Sequence, residues 1–259
     1  MRRLIIEEPV SRPAKWSPFV AWYSAVVTVM AVLLIRFQRV DYPAGFTVLG
    51  TGLALAGLAV LFSVLAFIRI WQEGRRGLGS AAWGLVIALA VLAYPGWFAV
   101  KAVTLPKIND ITTDVDNPPA FSRSRAVLEA RDGRVPPDVP PEVREAQREA
   151  YQQIAPLTLD VPPEEAFDLV RKAAENRGWR VIEALKPGGR LGLGRIEAID
   201  RTFLLRLPDD ITVRIRPRAD GTRIDIRSAS RIGTHDLGAN AARIRAFLEE
   251  VSNLAITSA

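Results

Sequence analysis

ITVRIRPRADGTRIDIRS, residues Ile211 to Ser228, decides how the C-terminal half of this chain folds. Two runs alternate apolar and charged side chains, and Ala219, Asp220 and Gly221 separate them. Alternation at period two marks strands with one buried face, and Asp-Gly is a strong turn signal. The stretch therefore predicts a β-hairpin with Ile211, Val213, Ile215, Ile224 and Ile226 on the core side. The other face carries Arg214, Arg216, Asp225 and Arg227. If Asp220 and Gly221 form a two-residue loop, Arg216 faces Asp225 and Arg214 faces Arg227, and like charges directly opposite are unfavourable. Something acidic must sit nearby. Asp209, Asp210 or Glu197 can supply it internally, or an external phosphate, carboxylate or lipid head group can, since arginine forks suit either. With Arg231 and Arg243 added, the candidate ligand-binding residues are Arg214, Arg227, Arg231 and Arg243.

Elements on either side extend the pattern. LTLD (Leu157 to Asp160) is a short strand. PPEEAFDLVRKAAENRG opens with prolines and acids, places Phe167, Val170 and Ala174 on one stripe and stops at Gly178, the marks of a helix. WRVIEAL (Trp179 to Leu185) alternates as a strand, a glycine-rich turn follows, and GRIEAI and TFLLRL predict two further short strands or one bent one. In LGANAARIRAFLEEV, Leu237, Ala241, Ile244, Leu248 and Val251 share a helical stripe, with Asp236 placed as N-cap. This order predicts an α+β domain over 157–259, an antiparallel sheet covered by two helices. At roughly 100 residues it is large enough for its own core. Residues 104–156 hold PKINDITTDVDNPPAF and the proline-rich RVPPDVPPEV; such prolines favour extended geometry, predicting a semi-rigid spacer or a wrap over the domain.

Upstream, residues 1–103 read as a membrane domain. Apolar runs over about 19–35, 46–68 and 80–103 are long enough to cross a hydrocarbon core of about 30 Å. The first resembles a signal peptide, but Arg36 and Arg39 follow it directly with no small-residue cleavage site, which predicts an uncleaved anchor. The second places Gly50 and Ala54, then Gly52 and Ala56, four apart, allowing close helix approach. Pro95 and Gly96 in the third predict a kink. No span has an ionisable residue near its middle, which disfavours a transporter or channel. Arg2, Arg3, Arg12, Lys15, Arg69, Arg75 and Arg76 flank one side, and Arg36, Arg39, Lys101 and Lys107 the other. The bias places the N-terminus in the cytoplasm and the C-terminal domain outside it, which is the periplasm in a bacterium with two membranes.

The net charge of +6 belongs to the membrane half, where 10 Lys and Arg face 4 Asp and Glu; from residue 104 onward the two classes balance. A neutral domain lacks the basic face that nucleic acid needs. With no cysteine and one histidine, His235, thiolate and His-rich metal sites are excluded. Asp110, Asp114 and Asp116 suggest a calcium loop, yet the glycine and terminal Glu of an EF-hand are missing. GGRLGLG matches neither dinucleotide nor Walker patterns and reads as a bulged hairpin. Glu197, Asp209, Asp210 and Asp225 invite an acid/base pair for glycan hydrolysis, and Ser228, Ser230 and His235 a triad, although no nucleophile elbow surrounds either serine.

Taken together, INDITTDVDNPPAF, LDVPPEEAF, NRGW, GRIEA, DDITVRIRP and DIRSASRIGTHDLGANAARIRAFL resemble one family, the domain-of-unknown-function family numbered fourteen ninety-nine. The match spans nearly all of 105–252, and many proteobacterial members carry the domain after hydrophobic helices. The resemblance implies no activity, cofactor or catalytic residue. It does imply a shared constellation: Asn109, Asp110, Thr113 and Asp114 in the first motif, and Asp225, Arg227, Ser228, Ser230, Arg231, Gly233, Asp236, Gly238, Asn240 and Arg243 in the last. The two motifs are expected to meet, with Ile108 to Asp114 packed near Arg227 and Arg231 and Asp110 or Asp114 supplying the missing charge.

The expectation is an inner-membrane protein whose periplasmic domain binds or scaffolds an envelope component, without cofactor or metal. Its partners are the bilayer and an envelope protein, an anionic lipid or a glycan, not nucleic acid. The rival is an envelope hydrolase or lipid-modifying enzyme using Asp and Glu with Arg as anion holder.

Overall fold

The computed structural model describes residues 9–189 and 192–258. Arg2 and Arg3 of the flanking-charge count, and Arg190 and Leu191 of the glycine-rich turn, lie outside the described residues. The chain forms two compact units that divide near Val100.

The first unit is three helices, α1 (Arg12–Arg36), α2 (Tyr42–Glu73) and α3 (Leu78–Thr104), each long and apolar enough to cross a membrane. They overrun the apolar runs at both ends, because a helix continues through the interface once its polar side chains reach water. Helix α3 runs through Pro95 without a break. Large side chains such as Trp22, Leu61 and Trp83 stay exposed, whereas the buried residues, Ile35 apart, are small, among them Ala21 and Ser24 on α1, Gly52, Ala56 and Ala59 on α2 and Ala88 on α3. Lipid supplies no hydrophobic drive between helices, so close backbone approach and interhelical hydrogen bonds hold them. The Ser17 and Ser63 hydroxyls lie 2.6 Å apart, and Ser24 Oγ donates to the Gly52 carbonyl at 2.9 Å. Of the two small-residue pairs on α2, only the Gly52 and Ala56 pair is buried; a Cβ on Gly52 would stand 3.1 Å from the Thr28 nitrogen, while nothing lies within 4 Å of one on Gly50. Gly52→Leu should therefore destabilise the full chain in detergent by about 1–3 kcal/mol. Gly50→Leu should be close to neutral in the same melting experiment, and equal losses would discount this seam.

The second unit is the α+β domain. Its elements are β1 (Asp110–Thr112), α4 (Arg125–Ala130), α5 (Pro141–Ala150), β2 (Leu157–Leu159), α6 (Pro163–Asn176), β3 (Arg180–Leu185), β4 (Gly194–Arg201), β5 (Pro208–Arg218), β6 (Gly221–Ser230) and α7 (Ala239–Ser258). The strands form one antiparallel sheet in the order β1-β6-β5-β4-β3. Strand β2 joins the same edge of β6, so β1 covers Arg227–Ala229 and β2 covers Thr222–Ile224. One face is the core: Ile196, Ile211, Val213, Ile215, Ile224 and Ile226 pack beneath α6 and α7, where Trp179 stacks on Phe247 at 4.7 Å. An antiparallel sheet covered by two helices is thus the architecture, with α4 and α5 in addition.

Several expectations need correction. The hairpin closes around Ala219 and Asp220, with Arg218 paired to Gly221 and Gly221 at φ +130°. The register therefore moves by two: Arg214 faces Asp225, Arg216 faces Arg223, and Thr212 faces Arg227. TFLLRL is a turn, closed by the Thr202 N–H on the Leu207 carbonyl and by the Leu207 N–H on Thr202 Oγ1, both at 2.9 Å. Strand β5 starts instead at Pro208. Leu237 lies before α7 at φ +56°, and Phe247 completes the buried stripe with Ala241, Ile244 and Val251. The segment 104–156 wraps the domain and contributes β1, α4 and α5 to it.

Candidate functional site

Because side chains alternate along a strand, the sheet face away from α6 and α7 carries Asp210, Thr212, Arg214 and Arg216 of β5 with Arg223, Asp225 and Arg227 of β6. It is not a solvated face. Residues 113–139 lie across it, and nearly every charge there is paired.

Three clusters make up the polar part of the domain. At the centre, Arg131, just past α4, is fully buried; its Nη2 donates to Glu197 Oε2 and its Nε to Asp210 Oδ1, both at 2.8 Å. Arg231 holds the same Asp210 through Nε at 3.0 Å and Nη2 at 2.8 Å. Arg227 clamps Asp110, with Nη2 at 2.7 Å, and donates to the Pro137 carbonyl at 2.6 Å, which pins the proline strap. The ring of Phe121 lies between the two guanidinium groups, 4.8 Å from Arg131 and 4.9 Å from Arg227. Burial pushes the Asp110 carboxyl up from its usual range, Arg227 pulls it back and Asp236 adds repulsion. Burial likewise raises Glu197, opposed by Arg131, Ser122 and Thr212.

At the hairpin end, Asp225 is fully buried and Asp114 partly so; Arg214, Arg216 and Arg223 each bridge both carboxylates at 2.8–3.1 Å. Arg195 of β4 stands directly opposite Arg214 and makes no ion pair among the described residues.

The third cluster lies on the helix side, at the start of α7. Arg243 donates to Asp209 Oδ2 at 2.5 Å, to Asp200 Oδ2 at 2.7 Å and to Ser228 Oγ at 3.1 Å. Burial raises the Asp209 carboxyl against the pull of Arg243 and Ser230; burial lowers Arg243, but Asp209 and Asp200 outweigh it and raise the guanidinium. Asn240 accepts from Ser228 and donates to Ser230 Oγ and to the Asn109 carbonyl. Asp236 accepts from the Gly238 and Asn240 amides and so caps α7.

The N-terminal motif is built into this arrangement. The Asn109 amide donates to the Gly233 carbonyl at 2.7 Å, and Thr113 Oγ1 accepts from the Ile226 N–H at 2.9 Å. Gln147 of α5 reads the β1 backbone as a strand would, exchanging two hydrogen bonds with Thr112. Where β1, the end of β6 and the proline strap meet there is a cleft of about 510 Å³, with Asn109, Asp110, Ser230 and Arg231 at its floor and Pro136 and Pro137 in its wall.

Of the four candidate ligand-binding arginines, Arg227, Arg231 and Arg243 are buried in internal ion pairs and Arg214 is partly exposed. The carboxylates considered for acid/base work, Glu197, Asp209, Asp210 and Asp225, are each held by an arginine. Asp110, Asp114 and Asp116 go to different arginines, Asp116 to Arg148, and no group of His, Cys, Asp or Glu among the described residues could hold a metal ion. Ser228 and Ser230 bond to Asn240, while His235 Nδ1 accepts from the Leu237 N–H of its own loop. Sequence reasoning missed Arg131, Gln147, Arg195 and Arg223. Only Arg223 left a signal, since the correct hairpin register places it opposite Arg216.

These features define a class: a protein with three helices long and apolar enough to cross a membrane, followed by an α+β domain whose sheet is covered by helices on one face and by an arginine–carboxylate network on the other. The chain belongs to the family described as "Protein of unknown function (DUF1499)", whose model matches residues 110–251, more than half of its length. No curated protein matches the chain. Among solved structures, the crystal structure of TTHA0849 from Thermus thermophilus aligns over 40% of this chain and 97% of its own, at 11% identity and a TM-score of 0.24, too low to carry an argument.

Proposed function

We propose that this is a bacterial inner-membrane protein with a cytoplasmic N-terminus and a periplasmic α+β domain that binds or scaffolds an envelope component, gripping an anionic group of it with arginine. The observation that supports binding over hydrolysis is the pairing of the buried carboxylates. Glycoside hydrolysis needs two carboxyl groups free to exchange protons across a cleft. Here Asp110 and Asp210, at the cleft, are tied to Arg227 and to Arg131 with Arg231. Flanking cations support the orientation, with the loop between α2 and α3 carrying Arg75 and Arg76. Alkaline phosphatase fused after Ser258 should be active and a green fluorescent protein fused there dark. A bright, phosphatase-inactive pair would overturn the orientation.

A further inference from the structure

Pairing is one-to-one at the centre of the polar face: Arg131, Arg227 and Arg231 meet Glu197, Asp110 and Asp210. It fails at the hairpin end. There Arg195, Arg214, Arg216 and Arg223 share only Asp114 and Asp225 among the described residues, and the register sets Arg195 opposite Arg214 and Arg216 opposite Arg223. Like charges directly across a ladder repel unless a counter-charge lies between them. Neighbouring acids are not that counter-charge. Asp116 pairs with Arg148, and Glu183, diagonal to Arg195 on β3, forms no ion pair among the described residues and leaves its Oε2 without a hydrogen-bond partner.

Donors remain unused as well. Arg214 and Arg223 reach the two carboxylates through Nε and Nη2 and Arg216 through Nη2, and the Nη1 of each meets no acceptor among the described residues. The Arg216 Nε is buried with no partner there. An unsatisfied buried donor carries its full desolvation penalty until something accepts from it. Accessibility separates this end from the centre: the side chains of Arg214, Arg216 and Arg223 are 17%, 22% and 24% exposed, against 3% for Arg227 and 8% for Arg231.

We infer that Arg195, Arg214, Arg216 and Arg223 form a binding site for a phosphomonoester group, with Asp114 and Asp225 holding the guanidinium groups in place behind it. The inference rests on the proposed binding role and names its chemistry. Four cations against two anions leave two positive charges, and a phosphomonoester carries about −1.5 to −2 near neutral pH with three acceptor oxygens. A single carboxylate or phosphodiester would neutralise only half the excess. Arginine forks match phosphate oxygens bidentately.

The test is thermal melting of the full chain in neutral detergent with inorganic phosphate, glycerol phosphate or acetate at matched ionic strength, and of the chain in lipid nanodiscs with phosphatidic acid or phosphatidylcholine. Phosphate or glycerol phosphate should raise Tm by roughly 3–6 °C at about ten times Kd. Arg195→Gln should abolish the rise without lowering the unliganded Tm, because Arg195 holds no carboxylate and only repels Arg214; Arg216→Gln should also abolish the rise, with a lower unliganded Tm because it gives up its pairs to Asp114 and Asp225. Arg227→Gln should lower the unliganded Tm but keep the rise. A response to phosphatidic acid alone assigns the group to a lipid; a response to free phosphate assigns it to a soluble ester. A shift that persists in Arg195→Gln and Arg216→Gln overturns the location. A shift with acetate and none with phosphate overturns the phosphate class and leaves anion binding standing. No shift with any anion overturns both.

Discussion

Arg131→Met is expected to destabilise the α+β domain by about 3–5 kcal/mol, the range for stripping one partner from a buried ion pair. Arg131 is completely buried and, among the described residues, is the only ion-pair partner of Glu197, itself without solvent exposure; Asp210 keeps Arg231. The substitution leaves Glu197 with the Ser122 N–H and the Thr212 hydroxyl, two donors but no positive charge. That isolates the cause and gives the effect a pH signature. Burial already raises the Glu197 carboxyl and Arg131 is the largest influence pulling it back, so in the variant it rises further. A folded-state pKa above the unfolded value means the folded protein binds the proton more tightly. Stability is then fully present below the unfolded pKa and is lost as pH rises through the folded one. Chemical denaturation of Arg131→Met should therefore recover as pH falls from 7 towards about 5, and Glu197→Gln in the same background should recover much of the loss at pH 7. A deficit that is flat with pH, and equal with Gln at 197, would mean that lost packing against Phe121 dominates.

The parts of this domain visible in its sequence are those governed by short-range pattern. Alternation along 211–215 and 222–228 gave two strands because each buries a single apolar face, and the acids and prolines ahead of Phe167 gave α6 its start. The β5 start was hidden for the opposite reason. Pro208, Asp209 and Asp210 have the composition of a turn, yet both aspartates are buried because Arg243, Arg131 and Arg231 reach them from distant segments. No local rule anticipates a charge neutralised from 79 residues away, as Asp210 is by Arg131. TFLLRL failed in mirror image: an apolar run predicts burial, but Phe203 is exposed in a turn.

The polar face was legible in kind and not in arrangement. Unlike charges had to come from somewhere, and the INDITTD motif was the natural source; Asp110 and Asp114 do lie against the arginines of β6 and β5. Which arginine took which carboxylate depended on the register, and the register depended on where the hairpin turned. An Asp-Gly loop and an Ala-Asp loop followed by a glycine of positive φ use the same residues, one position apart. Arg131 and Gln147 were invisible because both sit in a stretch whose prolines indicate extended chain, and burying them takes the finished sheet.

The glycine that ends this hairpin should show a loss of its own. Gly221→Ala is expected to destabilise the domain by more than the roughly 1–3 kcal/mol of backbone strain that φ +130° imposes on a residue with a side chain. The added Cβ would also run into the Leu159 carbonyl oxygen and stand 3.0 Å from its carbon and 3.1 Å from the Asp160 Cα. These are backbone atoms, so no rotamer change relieves the clash; the chain has to move, and the movable piece is β2, which reaches β6 only through Leu157–Leu159. Strand β2 leads into α6 through Val161 and Pro162, and the Val161 carbonyl is held by Thr222 Oγ1 at 2.7 Å. Displacing it should loosen the entry of α6 over the core. Gly133→Ala is the matched control, since φ is +75° there but nothing lies within 4 Å of the new Cβ, so it reports strain alone. Hydrogen exchange should accelerate at Leu157–Leu159 and Thr222–Ile224 in Gly221→Ala while Asp110–Thr112 stays protected, because β1 holds a separate stretch of the same edge. A Gly221→Ala loss no larger than that of Gly133→Ala would show that β2 yields without cost and that the close approach of the two backbones contributes nothing to the fold.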